Sequence, residues 1–189
     1  MVLPLLICLL MALSACARDQ EGKSRGTYDK EKDAPEEEKI TDHYVTDTEE
    51  EWGDFVFSTS DINGNKVTEE IMKGSRLVLL NLWEPWCGPC VGEMPDLQAL
   101  YEKYKDDGLL IIGAYTTFDM DADAKDLVRS MSITYPIIKA DSNIVAYEQD
   151  YVPATFLFDG NGNLLESEPV AGSQSYEAWE AVILEYISR

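Results

Sequence analysis

Two cysteines separated by two residues, Cys87 and Cys90, stand where an apolar run gives way to helical spacing, and this junction constrains the chain more than any other feature. Upstream, Leu77-Val78-Leu79-Leu80-Asn81-Leu82-Trp83 is apolar on both alternating faces, the pattern of a strand buried on both sides in a sheet with parallel neighbours. Downstream, Met94, Leu97, Leu100, Tyr101 and Tyr104 recur at helical intervals, and Asp106-Asp107-Gly108 supplies a stop. A strand that runs straight into a helix at Cys87 sets that thiol beside unpaired backbone N–H groups and the positive end of the helix dipole. The thiolate is the form such a position stabilises. A free cysteine with a pKa near 8.5 is only about 3% thiolate at neutral pH, and one near 7 is roughly half ionised, so placement alone supplies more than tenfold more nucleophile.

The chain has four cysteines, and their contexts differ. Cys8 lies within an N-terminal apolar run and Cys16 ends it, so no second pair remains for a structural disulfide, and any disulfide of the folded part joins Cys87 to Cys90. A C-x-x-C can also be half of a zinc site. Here there is no second C-x-x-C, and the one histidine, His43, lies far upstream, where it offers one ligand to a metal that takes three or four. A haem attachment sequence would need His after Cys90, and Val91 stands there. The expected chemistry is therefore thiol–disulfide exchange. The Cys87 thiolate attacks a partner disulfide, and Cys90, shielded one turn further in, resolves the mixed disulfide. No metal and no cofactor beyond the Cys87–Cys90 pair itself is expected.

Around this junction the chain alternates strand and helix patterns. Phe55-Val56-Phe57 and Ile62-Asn63-Gly64-Asn65-Lys66-Val67 read as two short strands with a turn at Asn63-Gly64, a leading β-hairpin. Leu109-Leu110-Ile111-Ile112-Gly113-Ala114 is a second buried strand, Asp121 to Met131 a helix, and Ile137-Ile138 a short strand. Thr155 to Phe158, the turn Asp159-Gly160-Asn161-Gly162, and Asn163-Leu164-Leu165 read as an antiparallel hairpin, and Tyr176, Trp179, Val182, Ile183 and Tyr186 stripe a closing helix. The fold class is α/β.

Residues 1–15 carry no charge and are mostly apolar, over a length too short to span a bilayer as a mature helix, which reads as a signal peptide. No Lys or Arg precedes the run, a departure from the usual positively charged start. Residues 16–51 show no apolar periodicity and include Asp33-Ala34-Pro35-Glu36-Glu37-Glu38-Lys39, a composition that cannot bury enough surface to offset the entropy of ordering. They read as an acidic tether, followed by a folded domain over residues 52–189. A flexible chain of that length would reach several tens of Å, by a scaling of roughly 5–6 Å times the square root of residue number. The formal net charge of -21 makes nucleic acid and anionic lipid headgroups poor partners, and it reads as a solvated acidic surface.

Three motifs resemble those of the thioredoxin superfamily, and within it the membrane-tethered TlpA/ResA-like proteins: Asn81-Leu82-Trp83-Glu84-Pro85-Trp86-Cys87-Gly88-Pro89-Cys90, Glu93-Met94-Pro95-Asp96-Leu97, and Val152-Pro153-Ala154-Thr155-Phe156-Leu157-Phe158-Asp159. The resemblance covers about Phe55 to Ser188 and implies a thioredoxin-like fold with an N-terminal β-hairpin and an inserted αβ unit around Tyr115 to Ile138. It implies a cis Val152-Pro153 bond facing the cysteines, with the Val152 backbone free to pair with a partner's extended chain; a plain turn proline is the alternative. Trp86, Gly88 and Pro89 are implied supporting residues, and Gly88-Pro89 is the dipeptide of reducing thioredoxins. Asn81 stands where ordinary thioredoxins keep a buried acid. Glu93 matches a glutamate of the ResA-like proteins and could accept the Cys90 proton, although its charge would also raise the thiol pKa; a solvated helix carboxylate is the alternative. Leu13-Ser14-Ala15-Cys16 resembles a bacterial lipobox, which implies a diacylglycerol on Cys16.

The expectation is an extracytoplasmic, lipid-anchored, monomeric thiol–disulfide oxidoreductase, a reductase of envelope or secreted protein disulfides fed by a membrane thiol donor, with apocytochrome c among its candidate clients. A disulfide-forming oxidase is the alternative. A thiol peroxidase would use a single cysteine in a Pro- and Thr-rich loop, and copper delivery would want wider cysteine spacing and a distal His, neither of which is present after Cys87.

Overall fold

A computed structural model describes residues 53–188. The expected signal peptide, Cys16, the acidic tether and His43 lie outside the described residues. Among the described residues, no helix is long and apolar enough to cross a membrane.

In chain order the elements are β1 (Ser58–Ser60), β2 (Lys66–Thr68), β3 (Leu77–Leu82), α1 (Gly88–Tyr104), β4 (Leu109–Tyr115), α2 (Asp121–Ser130), β5 (Ile137–Lys139), α3 (Ser142–Val145), β6 (Ala154–Phe158), β7 (Val170–Ala171) and α4 (Tyr176–Ile187). Five strands form one mixed sheet in the order β5-β4-β3-β6-β7. β3 is its centre, parallel to β4 and antiparallel to β6. Every residue of β3, β4 and β6 is buried, as the continuous apolar runs predict.

Strand alternation divides the core into two layers. Leu77, Leu79, Ile111 and Leu157 face Met94, Leu97 and Leu100 of α1 and Trp179 and Ile183 of α4. Val78, Leu80, Ile112 and Phe158 face the other way, onto Phe55, Phe57, Met72 and Ile144. Fully burying one such side chain contributes about 1.5–3 kcal/mol before entropy is counted, so both layers are needed to hold the sheet.

Two strand assignments change. Phe55 and Phe57 are buried but lie outside any strand. Their backbone groups bond to a turn and to side chains: Phe55 N–H donates to the Gly162 carbonyl, Phe57 N–H to Glu69 Oε2, and Asn143 Nδ2 to the Val56 carbonyl. The Phe55 ring stacks on Phe158 with centroids 4.4 Å apart, so the aromatic pair plugs the sheet face and pairing begins only at Ser58. The expected arm Asn163–Leu165 is reduced to a single bridge, Phe158 with Leu164. Glu166, Ser167 and Glu168 then run exposed, Pro169 has no N–H for a ladder, and β6 takes its edge partner from β7, which the sequence reading lacked. α3 was likewise not expected; Asp141 caps it, its carboxylate accepting from Asn143 N–H and Ile144 N–H.

The topology brings three segments to one end of the sheet. Leu82 at the end of β3 pairs with Ala114 near the end of β4 and with Ala154 at the start of β6. The loops beyond these residues carry the cysteines, Thr116-Thr117 and Val152-Pro153 respectively. α2, β5 and α3 occupy the chain between β4 and the Val152-Pro153 loop, the region of the expected insertion.

Candidate active site

Cys87 is the N-cap of α1 in extended conformation, and its Sγ accepts a 3.2 Å hydrogen bond from Cys90 N–H. Gly88 and Pro89 form the first helical turn, where a missing proline N–H forfeits no helical bond. Cys87 and Cys90 are joined by a disulfide. Cys90 is fully buried, whereas Cys87 is 4% exposed and flanked by the open Gly88 and Pro89, so an incoming group meets Cys87 first. A Cβ added at Gly88 would meet nothing within 4 Å, so space does not demand glycine there.

The Val152-Pro153 bond is cis. Cys87 Sγ lies 3.6 Å from the Val152 carbonyl oxygen, which brings the loop before β6 against the disulfide. Trp86 is 61% exposed beside it and donates from Nε1 to Thr117 Oγ1 at 3.2 Å.

Beneath the disulfide, Glu93 is buried on α1, one turn beyond Cys90, and not solvated. Its Oε1 accepts from Asn81 Nδ2 at 3.0 Å; its Oε2 accepts from Gln174 N–H at 3.1 Å and from Trp179 Nε1 at 3.2 Å. Asn81 also donates to Thr155 Oγ1 at 2.9 Å, so the amide ties β3, β6 and α1 together. Burial pushes the Glu93 carboxyl above its ordinary range, and the hydrogen bonds from Gln174, Trp179 and Asn81 hold it back only in part. Tyr135 is raised in turn, first by its own burial and then by the charge of Glu93.

Glu84 is a buried acid that the sequence reading passed over. Its carboxylate accepts from Thr116 N–H at 2.8 Å, Thr116 Oγ1 at 2.6 Å and Thr117 N–H at 3.1 Å, and its carbonyl accepts from Cys87 N–H at 2.9 Å. Glu84 thereby fastens the cysteine loop to the end of β4. The one signal for it was an acid set between the apolar residues Trp83 and Pro85. Trp179 and Gln174 were also missed as Glu93 partners, and Thr155 as a partner of Asn81, because each is distant in sequence and ordinary in its local pattern.

A groove of about 340 Å³ opens beside this constellation, between Trp86, the Thr116-Thr117 loop, α3 and the segment leading to Val152.

A buried thiol behind a helix-capping one, a cis-proline loop against the pair and a carboxyl one turn below form an arrangement able to exchange disulfides. Residues 50–167 match the model of the AhpC/TSA family. The chain belongs to that family. Over 129 residues it is 33% identical to the thiol-disulfide oxidoreductase ResA of Bacillus thuringiensis (strain Al Hakam), covering 67% of this chain and 72% of the relative. A thiol:disulfide interchange protein of Chlorobium tepidum TLS superposes with a TM-score of 0.62 at 21% identity, over 70% of this chain and 93% of the other. A second Chlorobium tepidum structure, described as an interchange protein DsbE, gives 0.61 at 25% identity, over 70% and 94%. The protein is accordingly a thioredoxin-fold enzyme of the thiol–disulfide oxidoreductase class.

Proposed function

We propose that this protein reduces disulfides of client proteins outside the cytoplasm. The observation that carries the reading is the asymmetry of the pair: Cys87 caps α1 against the Val152 carbonyl, and Cys90 is sealed behind it. In the reduced enzyme the Cys87 thiolate attacks one sulfur of a client disulfide, and the other client sulfur leaves with the bonding electron pair. Cys90, having lost its proton, then attacks Cys87 Sγ; the second client thiolate departs, and the Cys87–Cys90 disulfide forms. The client gains two electrons and the enzyme loses two. Glu93 takes the Cys90 proton in this scheme, a role supported by its raised carboxyl pKa and its place one turn beyond Cys90.

Trp86, Gly88, Pro89, Val152 and Pro153 frame the attack, with the Val152 backbone open to an extended client chain. The Gly88-Pro89 dipeptide supports the reducing direction. In this reading residues 1–15 are a signal peptide, Cys16 carries a lipid that holds the protein at the outer membrane face, and residues 16–51 are the tether to a monomeric domain. Electrons come from a membrane thiol donor, and clients include apocytochrome c, whose paired cysteines need reduction before haem attachment.

Trapping tests the cycle. The Cys90→Ser chain, incubated with a disulfide-bearing protein, accumulates a mixed disulfide through Cys87 that dithiothreitol releases, and Cys87→Ser accumulates none. Equal trapping by the two variants would contradict the assignment.

A further inference from the structure

The groove beside Cys87 has a mixed character. Val145, Trp86 and Tyr151 give it an accessible apolar lining, with 40%, 61% and 44% exposure, and Glu148 and Asp150 carry the charge at its rim. The buried Glu84 carboxylate lines it as well, and among the described residues no Lys, Arg or His does. Glu148 and Asp150 are exposed and take part in no ion pair recorded among the described residues. Asp150 precedes by two residues Val152, whose carbonyl lies 3.6 Å from Cys87 Sγ, so the acidic rim is continuous with the point of attack.

We propose that this groove is a specificity subsite for a Lys or Arg side chain that a client carries within two residues of its reactive cysteine. The inference rests on the disulfide-reductase reading above and adds to it the chemistry of the client segment. A long cationic side chain matches both parts of the groove: its aliphatic stem lies along the exposed Val145, Tyr151 and the indole of Trp86, and its charged end reaches the Glu148 and Asp150 carboxylates. An acidic side chain at the same place meets three carboxylates. Charge at an exposed rim acts on encounter and register more than on final affinity, so the preference is one of rate.

The test uses the full chain in its dithiol form and short cysteine peptides capped as mixed disulfides with thionitrobenzoate. Attack of Cys87 on the peptide sulfur releases the coloured thiolate, and Cys90 then frees the peptide. Arg, Gln or Glu is placed in turn at each of the two positions before and after the cysteine. At about 0.01 M ionic strength, where screening extends over about 30 Å, the Arg peptide reacts about tenfold faster than the Glu peptide at one of these positions, and the preference shrinks with added salt. The double variant Glu148→Gln, Asp150→Asn brings the Arg-to-Glu rate ratio to within about twofold. Asp106→Asn with Asp107→Asn removes the same formal charge beyond the far end of α1 and keeps the ratio. A ratio equal at all four positions, or one that survives Glu148→Gln, Asp150→Asn, would overturn the subsite. Failure to release the chromophore from every peptide would overturn the exchange reading beneath it.

Discussion

The side-chain amide of Asn81 donates a 3.0 Å hydrogen bond to the carboxylate of Glu93, joining the central strand to the helix one turn beyond Cys90. The central strand carries an amide here, and the carboxyl stands on the helix. Three donors converge on it, from Asn81, Gln174 and Trp179, a set suited to a charged carboxylate, while burial opposes that charge and prevails.

This balance gives stability a sign. A carboxyl whose folded pKa is raised above its unfolded value contributes fully below the unfolded pKa, and that contribution is lost as pH rises through the folded pKa. Urea unfolding from pH 4 to 8 is therefore expected to show the native chain losing stability relative to Glu93→Gln as pH increases. A difference that moved in favour of the native chain with rising pH would count against the raised carboxyl.

Trp179→Phe removes one donor from Glu93 and keeps most of the buried ring. With less support for its charge, Glu93 titrates higher still, and the pH-dependent loss of stability moves to higher pH. The lost buried hydrogen bond costs about 1 kcal/mol or more, read as a lower urea midpoint with unchanged slope.

The cysteine loop hangs from Glu84, whose carboxylate binds two backbone N–H groups and a hydroxyl beyond β4. Glu84→Ala leaves those donors without their partner and is expected to lower stability by about 1–3 kcal/mol. It also loosens the loop that sets Cys87 N–H on the Glu84 carbonyl, so exchange with a small disulfide slows. Denaturation and stopped-flow reaction with glutathione disulfide measure the two effects separately, and a variant unchanged in both would contradict the role given to Glu84.

Glycine matters at the end of β6 for want of room. A Cβ at Gly160 would lie 2.3 Å from the Ser75 carbonyl oxygen, a backbone atom that cannot step aside, whereas one at Gly88 meets nothing. Gly160→Ala is expected to lose about 3 kcal/mol or more, and Gly88→Ala to leave thermal stability level or slightly higher. Calorimetry of both distinguishes a packing demand from mere presence in a motif.

Much of this was legible beforehand because local chemistry and tertiary need agree. The continuous apolar runs at Leu77–Leu82 and Leu109–Tyr115 permit only buried strands, and the stripe from Met94 to Tyr104 permits only a helix against them. The cysteines were visible for the same reason, since a C-x-x-C between strand and helix has few physical uses. The errors fell where backbone pairing is settled at a distance. Phe55 and Phe57 alternate like a strand but take their hydrogen bonds from Gly162 and Glu69, and Leu164 looks like the second arm of a hairpin that ends after one bridge. The Glu93 surroundings escaped notice because Asn81, Gln174 and Trp179 converge only through the fold, and Glu84 because its partners lie beyond the next strand.

The most direct measurement is the equilibrium reduction potential of the Cys87–Cys90 pair, read by glutathione or dithiothreitol redox titration of the full chain. A reductase requires a value near or below that of thioredoxin, about -270 mV, and that is the value expected here. A potential near -120 mV would make the disulfide a strong oxidant and would contradict the direction of electron flow proposed for this enzyme.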